Sequence, residues 1–210
     1  MIALDYQALE ATPVATDPFA HVVVRHFVPP AALRRVLDAL PPLQARGSFP
    51  VEGLSLGPAA QELMREMAGP RLRRAIAEKF GLDLADAPTM VTLRGMTTER
   101  DGRIHCDSTA KRVTVLLYLN PAQEAWARQE GCLRLLRGPR DLEDYAVEVP
   151  PVDGTLLVFP NTATAWHGHR MFAGRRYSVQ LNYMTTDAKA RSELRRHRLS
   201  ALMKRLTRAA

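Results

Sequence analysis

Residues 112–120, Arg112-Val-Thr-Val-Leu-Leu-Tyr-Leu-Asn120, read as a β-strand. Successive side chains of a strand point to opposite faces, so Val113, Val115, Leu117 and Leu119 form one apolar face. Thr114 and Tyr118 alternate onto the other. Working outward, the same kind of short, turn-bounded segment recurs at 89–96, 103–107, 132–137, 145–149, 154–159, 164–171 and 175–184. Short strands at this spacing, with no helix-length pattern between them, predict an antiparallel sandwich or barrel.

The chain before this region is different. HVVVRHFV (21–28) is a β-branched run that Pro29 and Pro30 end, and a helix is expected across Ala31–Leu40. The Pro/Gly-punctuated segment 41–57 reads as loop. Leu63, Met67 and Ile76 fit a helix over Pro58–Phe80, interrupted at Gly69–Pro70. With these helices free to cover one sheet, the expected fold is mainly β with flanking helices, a double-sheet jelly roll. Helical spacing returns over Asp187–Arg208, where Leu199, Leu202, Met203 and Leu206 share one face among arginines. That apolar stripe is expected to pack while the arginines stay solvated. The organisation is one domain over 1–210: an N-terminal strand and supporting helices (1–87), the β core (88–184) and a basic C-terminal helix (185–210).

Composition sets further bounds. The 210 residues, 46% hydrophobic and 24% charged, suit one soluble globular domain. Cys106 and Cys132 make neither a disulfide framework nor zinc-ligand spacing, so a reducing cytoplasm is expected. No apolar run approaches the roughly 20 residues that span a bilayer. MIALDYQALEATP lacks the basic and apolar regions of a secretion signal. From Lys189 onward there are eight Lys/Arg and one acid, leaving 21 of each sign in residues 1–188. All of the formal +7 charge therefore sits in the tail, and a general basic face for nucleic acid is not indicated.

The chemistry is carried by a few polar residues. In Ile104-His105-Cys106-Asp107, strand alternation sends His105 and Asp107 to one side and Cys106 to the other. An imidazole beside a carboxylate offers two adjacent corners of a coordination octahedron, although such a pair also fits a surface ion pair. A non-haem ferrous oxygenase needs two histidines and one carboxylate on one octahedral face. His167, within Thr164-Ala165-Trp166-His167-Gly168-His169, can complete it, and alternation makes His169 a competitor. Nine residues after His167 comes Arg176, sharing a face with Ser178, while Arg175 alternates away to solvent. A guanidinium fork with an added hydroxyl matches the far carboxylate of a dicarboxylate whose other end chelates iron. Tyr118 is placed to donate its phenol to the same carboxylate; a core tyrosine with a satisfied hydroxyl is the alternative.

Taken in order, His105-x-Asp107, the strand Arg112–Asn120, Gly131-Cys-Leu-Arg134, Gly154-Thr-Leu-Leu-Val-Phe-Pro160, Trp166-His-Gly168 and Arg176 resemble the prolyl-hydroxylase-type Fe(II)/2-oxoglutarate dioxygenases over residues 88–184. The resemblance implies a double-stranded β-helix core and Fe(II) held by His105, Asp107 and a distal histidine. Its nine-residue offset to the arginine selects His167 over His169. It further implies 2-oxoglutarate bound through Arg176, Ser178, Tyr118 and Thr114, with O2 as oxidant and ascorbate as stimulant. The implied reaction hydroxylates a substrate and releases succinate and CO2.

Two positions depart from the family pattern. Cys132 stands where Gly-Gly is usual, and the region that often offers a tyrosine before the first ligand reads Leu93-Arg94-Gly95-Met96. The second departure sets prolyl specificity aside and turns Arg94 toward an anionic substrate. Asp107 argues against the halogenase variant, in which a small residue leaves room for chloride. The rival from another class is a non-catalytic, cupin-like metal-binding or interaction protein whose basic C-terminal helix docks on a partner. The substrate, small molecule or protein, does not follow from these residues.

Overall fold

A computed structural model of the protein describes residues 2–121, 126 and 128–206, with side chains up to residue 203. Nine strands form two antiparallel sheets among the described residues. They are β1 (Val22–Val24), β2 (Phe49–Pro50), β3 (Thr89–Thr97), β4 (Lys111–Tyr118), β5 (Leu133–Leu136), β6 (Tyr145–Val149), β7 (Leu156–Pro160), β8 (His167–His169) and β9 (Gly174–Met184). The six-stranded sheet runs β1-β7-β4-β9-β3-β2 and the three-stranded sheet β6-β5-β8. Helices among the described residues include α1 (Tyr6–Ala11), α2 (Pro30–Asp38), α3 (Pro58–Ala68), α4 (Pro70–Phe80) and α5 (Ala188–Leu206).

The alternation of β4 divides the core in two. Val113, Val115 and Leu117, with Val179 and Leu181 of β9, pack against Leu63 and Met67 of α3 and Leu72 and Ile76 of α4. On the other face Tyr118, Leu157 and Phe159 meet Leu133, Leu135 and Ala165. Helices therefore close one face of the large sheet and the small sheet closes the other, the jelly roll expected. Phe159 belongs to this second core. Gly69 ends α3 and Pro70 opens α4, because proline needs no partner for its missing N–H at a first turn. No described helix is long and apolar enough to cross a membrane.

Several expected elements change. The run 21–28 forms strand only at Val22–Val24, and 164–171 only at His167–His169. The loop 41–57 contains β2 and a 3-10 turn, Val51–Gly53, and the short helix α1 had no strong periodicity to show it. The expected strand 103–107 is not one. His105 and His167 exchange backbone hydrogen bonds at 3.0 Å, and His169 donates to the Gly102 carbonyl at 2.9 Å. Three steps of chain from Gly102 to His105 thus oppose two from His167 to His169, an extra residue that breaks the ladder as a β-bulge does.

Helix α5 docks with a different face from the one expected. Ala190 and Ala201 are buried, whereas Leu199, Leu202 and Met203 are 55%, 55% and 62% exposed. The reason is close approach: a Cβ added to Gly53 would lie 2.9 Å from the Ala201 carbonyl oxygen. At that separation alanine fits between helix and 3-10 turn and leucine does not. The side chains of Lys204, Arg205 and Leu206, and all of Arg208, lie outside the described residues.

Candidate active site

Each histidine near the small sheet is oriented by its own backbone. His105 Nδ1 lies 2.8 Å from the Arg103 carbonyl and His167 Nδ1 2.9 Å from the Ala165 carbonyl. A carbonyl oxygen only accepts, so each Nδ1 carries the proton and each Nε2 keeps its lone pair. With the Asp107 carboxylate, these rings offer three ligand atoms within 4.8 Å of one another. The two rings lie 4.3 Å apart, and Phe159 packs 5.2 Å from that of His167. Among the described residues this is the group of histidine, cysteine and acidic side chains able to hold a metal. The bulge delivers the pair that strand alternation predicted by another route.

Asp107 is held from two sides. Lys111 Nζ donates to Oδ1 at 2.6 Å and the Thr114 hydroxyl donates to Oδ2. Burial alone would push this carboxyl up, but Lys111, His167 and Thr114 outweigh it and hold the group below its ordinary value. It is therefore anionic at neutral pH. Thr114, expected beside the cosubstrate, is placed at the Asp107 end. Lys111 was missed, and its spacing of four residues from Asp107 is not a strand relation that would have flagged it.

At the other end, Arg176 is only 6% exposed. Its Nε donates to the Gly131 carbonyl at 2.8 Å and its guanidinium stands 5.2 Å from the Tyr118 ring centroid. Arg176 Nη2 and the Tyr118 hydroxyl are both buried without a hydrogen-bond partner. An unsatisfied buried polar group costs about 1–3 kcal/mol, more when charged, so an acceptor belongs here. Ser178 pairs across strands with Tyr118 on one side and Arg94 on the other. The seven residues that the sequence assigned to iron and cosubstrate all line one cavity of about 310 Å3, with Ser48, Arg94, Lys111, His169 and Gln180. Ser48 comes from the 41–57 segment, which carried no signal of a role.

His169 lies outside the three-ligand group, on the Arg176 side of the cavity. Burial, then the neighbouring Arg176 charge, pushes its pKa down to about 4. His167 is likewise pushed to about 4, first by burial and then by His105. Both rings are neutral at pH 7, as a metal ligand must be. A depressed histidine pKa means that the unfolded chain binds the proton more readily between about 4 and 6.5. The stability these rings confer is full above 6.5 and is lost as pH falls toward 4, on the order of 3 kcal/mol each. The metal-free protein should thus show a urea midpoint markedly lower at pH 5 than at pH 7. Equal midpoints would mean the rings are not buried as described.

A jelly roll with two imidazoles and a carboxylate at one end of an inner cavity, and a buried guanidinium at the other, defines a ferrous oxygenase that uses a dicarboxylate cosubstrate. Residues 93–184 match the 2OG-Fe(II) oxygenase superfamily. The fold is shared with a prolyl-4-hydroxylase from Pseudomonas putida, at 19% identity over 86% of this chain and 91% of that one (TM-score 0.54). It is shared too with a prolyl 4-hydroxylase from Phytophthora capsici, at 15% identity over 96% and 77% (TM-score 0.59). A prolyl hydroxylase from Trichoplax adhaerens, solved with a hypoxia inducible factor peptide, matches at 18% identity over 90% of each chain (TM-score 0.51). No curated protein sequence matches the chain.

Proposed function

We propose that His105, Asp107 and His167 hold the Fe(II) of this oxygenase, and that Arg176, Tyr118 and Ser178 hold the distal carboxylate of 2-oxoglutarate. The donor set suits the metal: two imidazoles whose Nδ1 faces a backbone carbonyl, which leaves Nε2 for the ion, and one anionic carboxylate. The observation that carries the cosubstrate reading is the pair of buried donors without partners, Arg176 Nη2 and the Tyr118 hydroxyl, in the cavity that contains the triad. When bound, iron and 2-oxoglutarate supply the oxidation by O2 that hydroxylates a substrate and yields succinate and CO2. The chain supplies position and dryness. Lys111 and Thr114 fix the rotation of Asp107, and the Ala165 carbonyl fixes the His167 ring. Leu116 and Leu133 add apolar side chains to the lining of the same cavity.

The core that joins α1–α4 to the large sheet supports residues 1–210 acting as one domain. Two free cysteines, one of them buried, support a reducing cytoplasmic location. The test is turnover of 2-oxoglutarate alone. Purified protein with Fe(II), ascorbate and O2 should form succinate, lose that activity on chelation, and regain it on adding Fe(II). Failure to bind or consume 2-oxoglutarate under these conditions sinks the reading.

A further inference from the structure

We propose that Arg94 anchors a carboxylate on the primary substrate, so that this oxygenase acts on a carboxylic acid. The inference rests on the oxygenase reading above and adds a substrate class to it. Arg94 sits on the inner face of the large sheet, in the cross-strand row Tyr118–Ser178–Arg94, and lines the cavity of the triad. Its side chain is 32% exposed, whereas Arg176 is a 6% exposed residue. Arg94 is thus the more solvent-accessible of the two guanidinium groups in the cavity.

The guanidinium is poorly matched by the protein. Among the described residues its partner is Asp101, and Nη2 reaches Oδ1 only at 3.4 Å. The other Asp101 oxygen is taken by Thr98, through its backbone N–H at 2.8 Å and its hydroxyl at 3.1 Å. Burial lowers the Arg94 pKa and Asp101 offsets only part of that, with Arg176 and Arg46 adding repulsion. A planar fork held this loosely retains donors for a second carboxylate.

The charge balance points the same way. The cavity lining contains three cations, Arg94, Lys111 and Arg176, and one acid, Asp107. Iron brings two positive charges and 2-oxoglutarate two negative, which cancel. Three minus one leaves two, and Asp101 reduces the excess to one; Arg46, beside Asp101, restores it to two. The cosubstrate cannot supply the missing anion. One of its carboxylates would go to the metal and the other to Arg176. A carboxylate on the substrate halves the excess and, fixed on β3, holds the molecule at a defined distance from the triad.

The experiment uses acetate as the probe. Full-length protein is loaded with Mn(II) and saturating 2-oxoglutarate, and paramagnetic relaxation of the acetate methyl protons is measured by NMR. The wild type should enhance that relaxation. Arg94→Gln should weaken apparent acetate binding at least tenfold and Arg94→Lys less, while the 2-oxoglutarate dissociation constant of both stays within twofold. The proposal is overturned by an Arg94→Gln protein that relaxes acetate as the wild type does, or by a wild type that does not relax it. It is equally overturned if Arg94→Gln weakens 2-oxoglutarate tenfold, since Arg94 would then serve the cosubstrate. A wild type that takes up neither Mn(II) nor 2-oxoglutarate sinks the oxygenase reading instead, and shows it before acetate is added.

Discussion

Asp107→Ala should reduce 2-oxoglutarate turnover by more than about a hundredfold. Loss of an outer partner of a metal ligand already costs about 10–100-fold in affinity or activity, and Asp107 is the one carboxylate of the three-residue group proposed to hold the iron. The same substitution should also destabilise the metal-free protein. The Lys111 and Asp107 side chains are 12% and 7% exposed and 2.6 Å apart, so removing the carboxylate strands an ammonium in a largely dry place. Breaking one side of a buried ion pair costs about 3–5 kcal/mol, set chiefly by the desolvated charge left behind. The two effects separate in the double variant Asp107→Ala/Lys111→Met, which removes the stranded charge. Its urea midpoint should return toward wild type while iron binding and succinate formation stay lost. If turnover returned along with stability, Asp107 would be a folding residue and not a ligand.

What the sequence could show follows from which relations are local. The β4 and β9 faces were legible because alternation along a regular strand decides them, so Tyr118, Arg176 and Ser178 arrive in the cavity as read. His105 and Asp107 were found by the same rule, although the chain there has one bridge and a bulge in place of a strand. The pairing survived because the backbone exchange between His105 and His167 fixes one residue, and Lys111 with Thr114 draws Asp107 into place. Contributions that depend on distant approach were not legible. Ser48 enters the cavity from a loop, and α5 buries Ala201 instead of Leu199 and Leu202 because Gly53 lies against it. Apolar periodicity marks a face able to pack, and the partner's shape decides whether it does.

Arg176→Ala should leave the protein folded and nearly blind to its cosubstrate. Truncating one partner of a buried, hydrogen-bonded charge pair costs about 2–5 kcal/mol of binding, so the 2-oxoglutarate dissociation constant should rise at least about 30-fold. Stability without ligand should change little, because two terms oppose. The Gly131 carbonyl loses the donor it has at 2.8 Å, but the buried Nη2 that has no acceptor disappears too. The contrast appears in ligand-linked stabilisation. At 2-oxoglutarate a hundred times the wild-type dissociation constant, the wild type gains about 2.7 kcal/mol and a variant weakened 30-fold about 0.9 kcal/mol. Arg176→Lys should fall between, since an ammonium supplies the charge without the planar fork. Denaturant titrations with and without 2-oxoglutarate and a metal that does not turn over would measure all three. Equal stabilisation of the wild type and Arg176→Ala would remove Arg176 from the site. The distal carboxylate would then need another cation in the cavity, and Arg94 and Lys111 are the ones that line it.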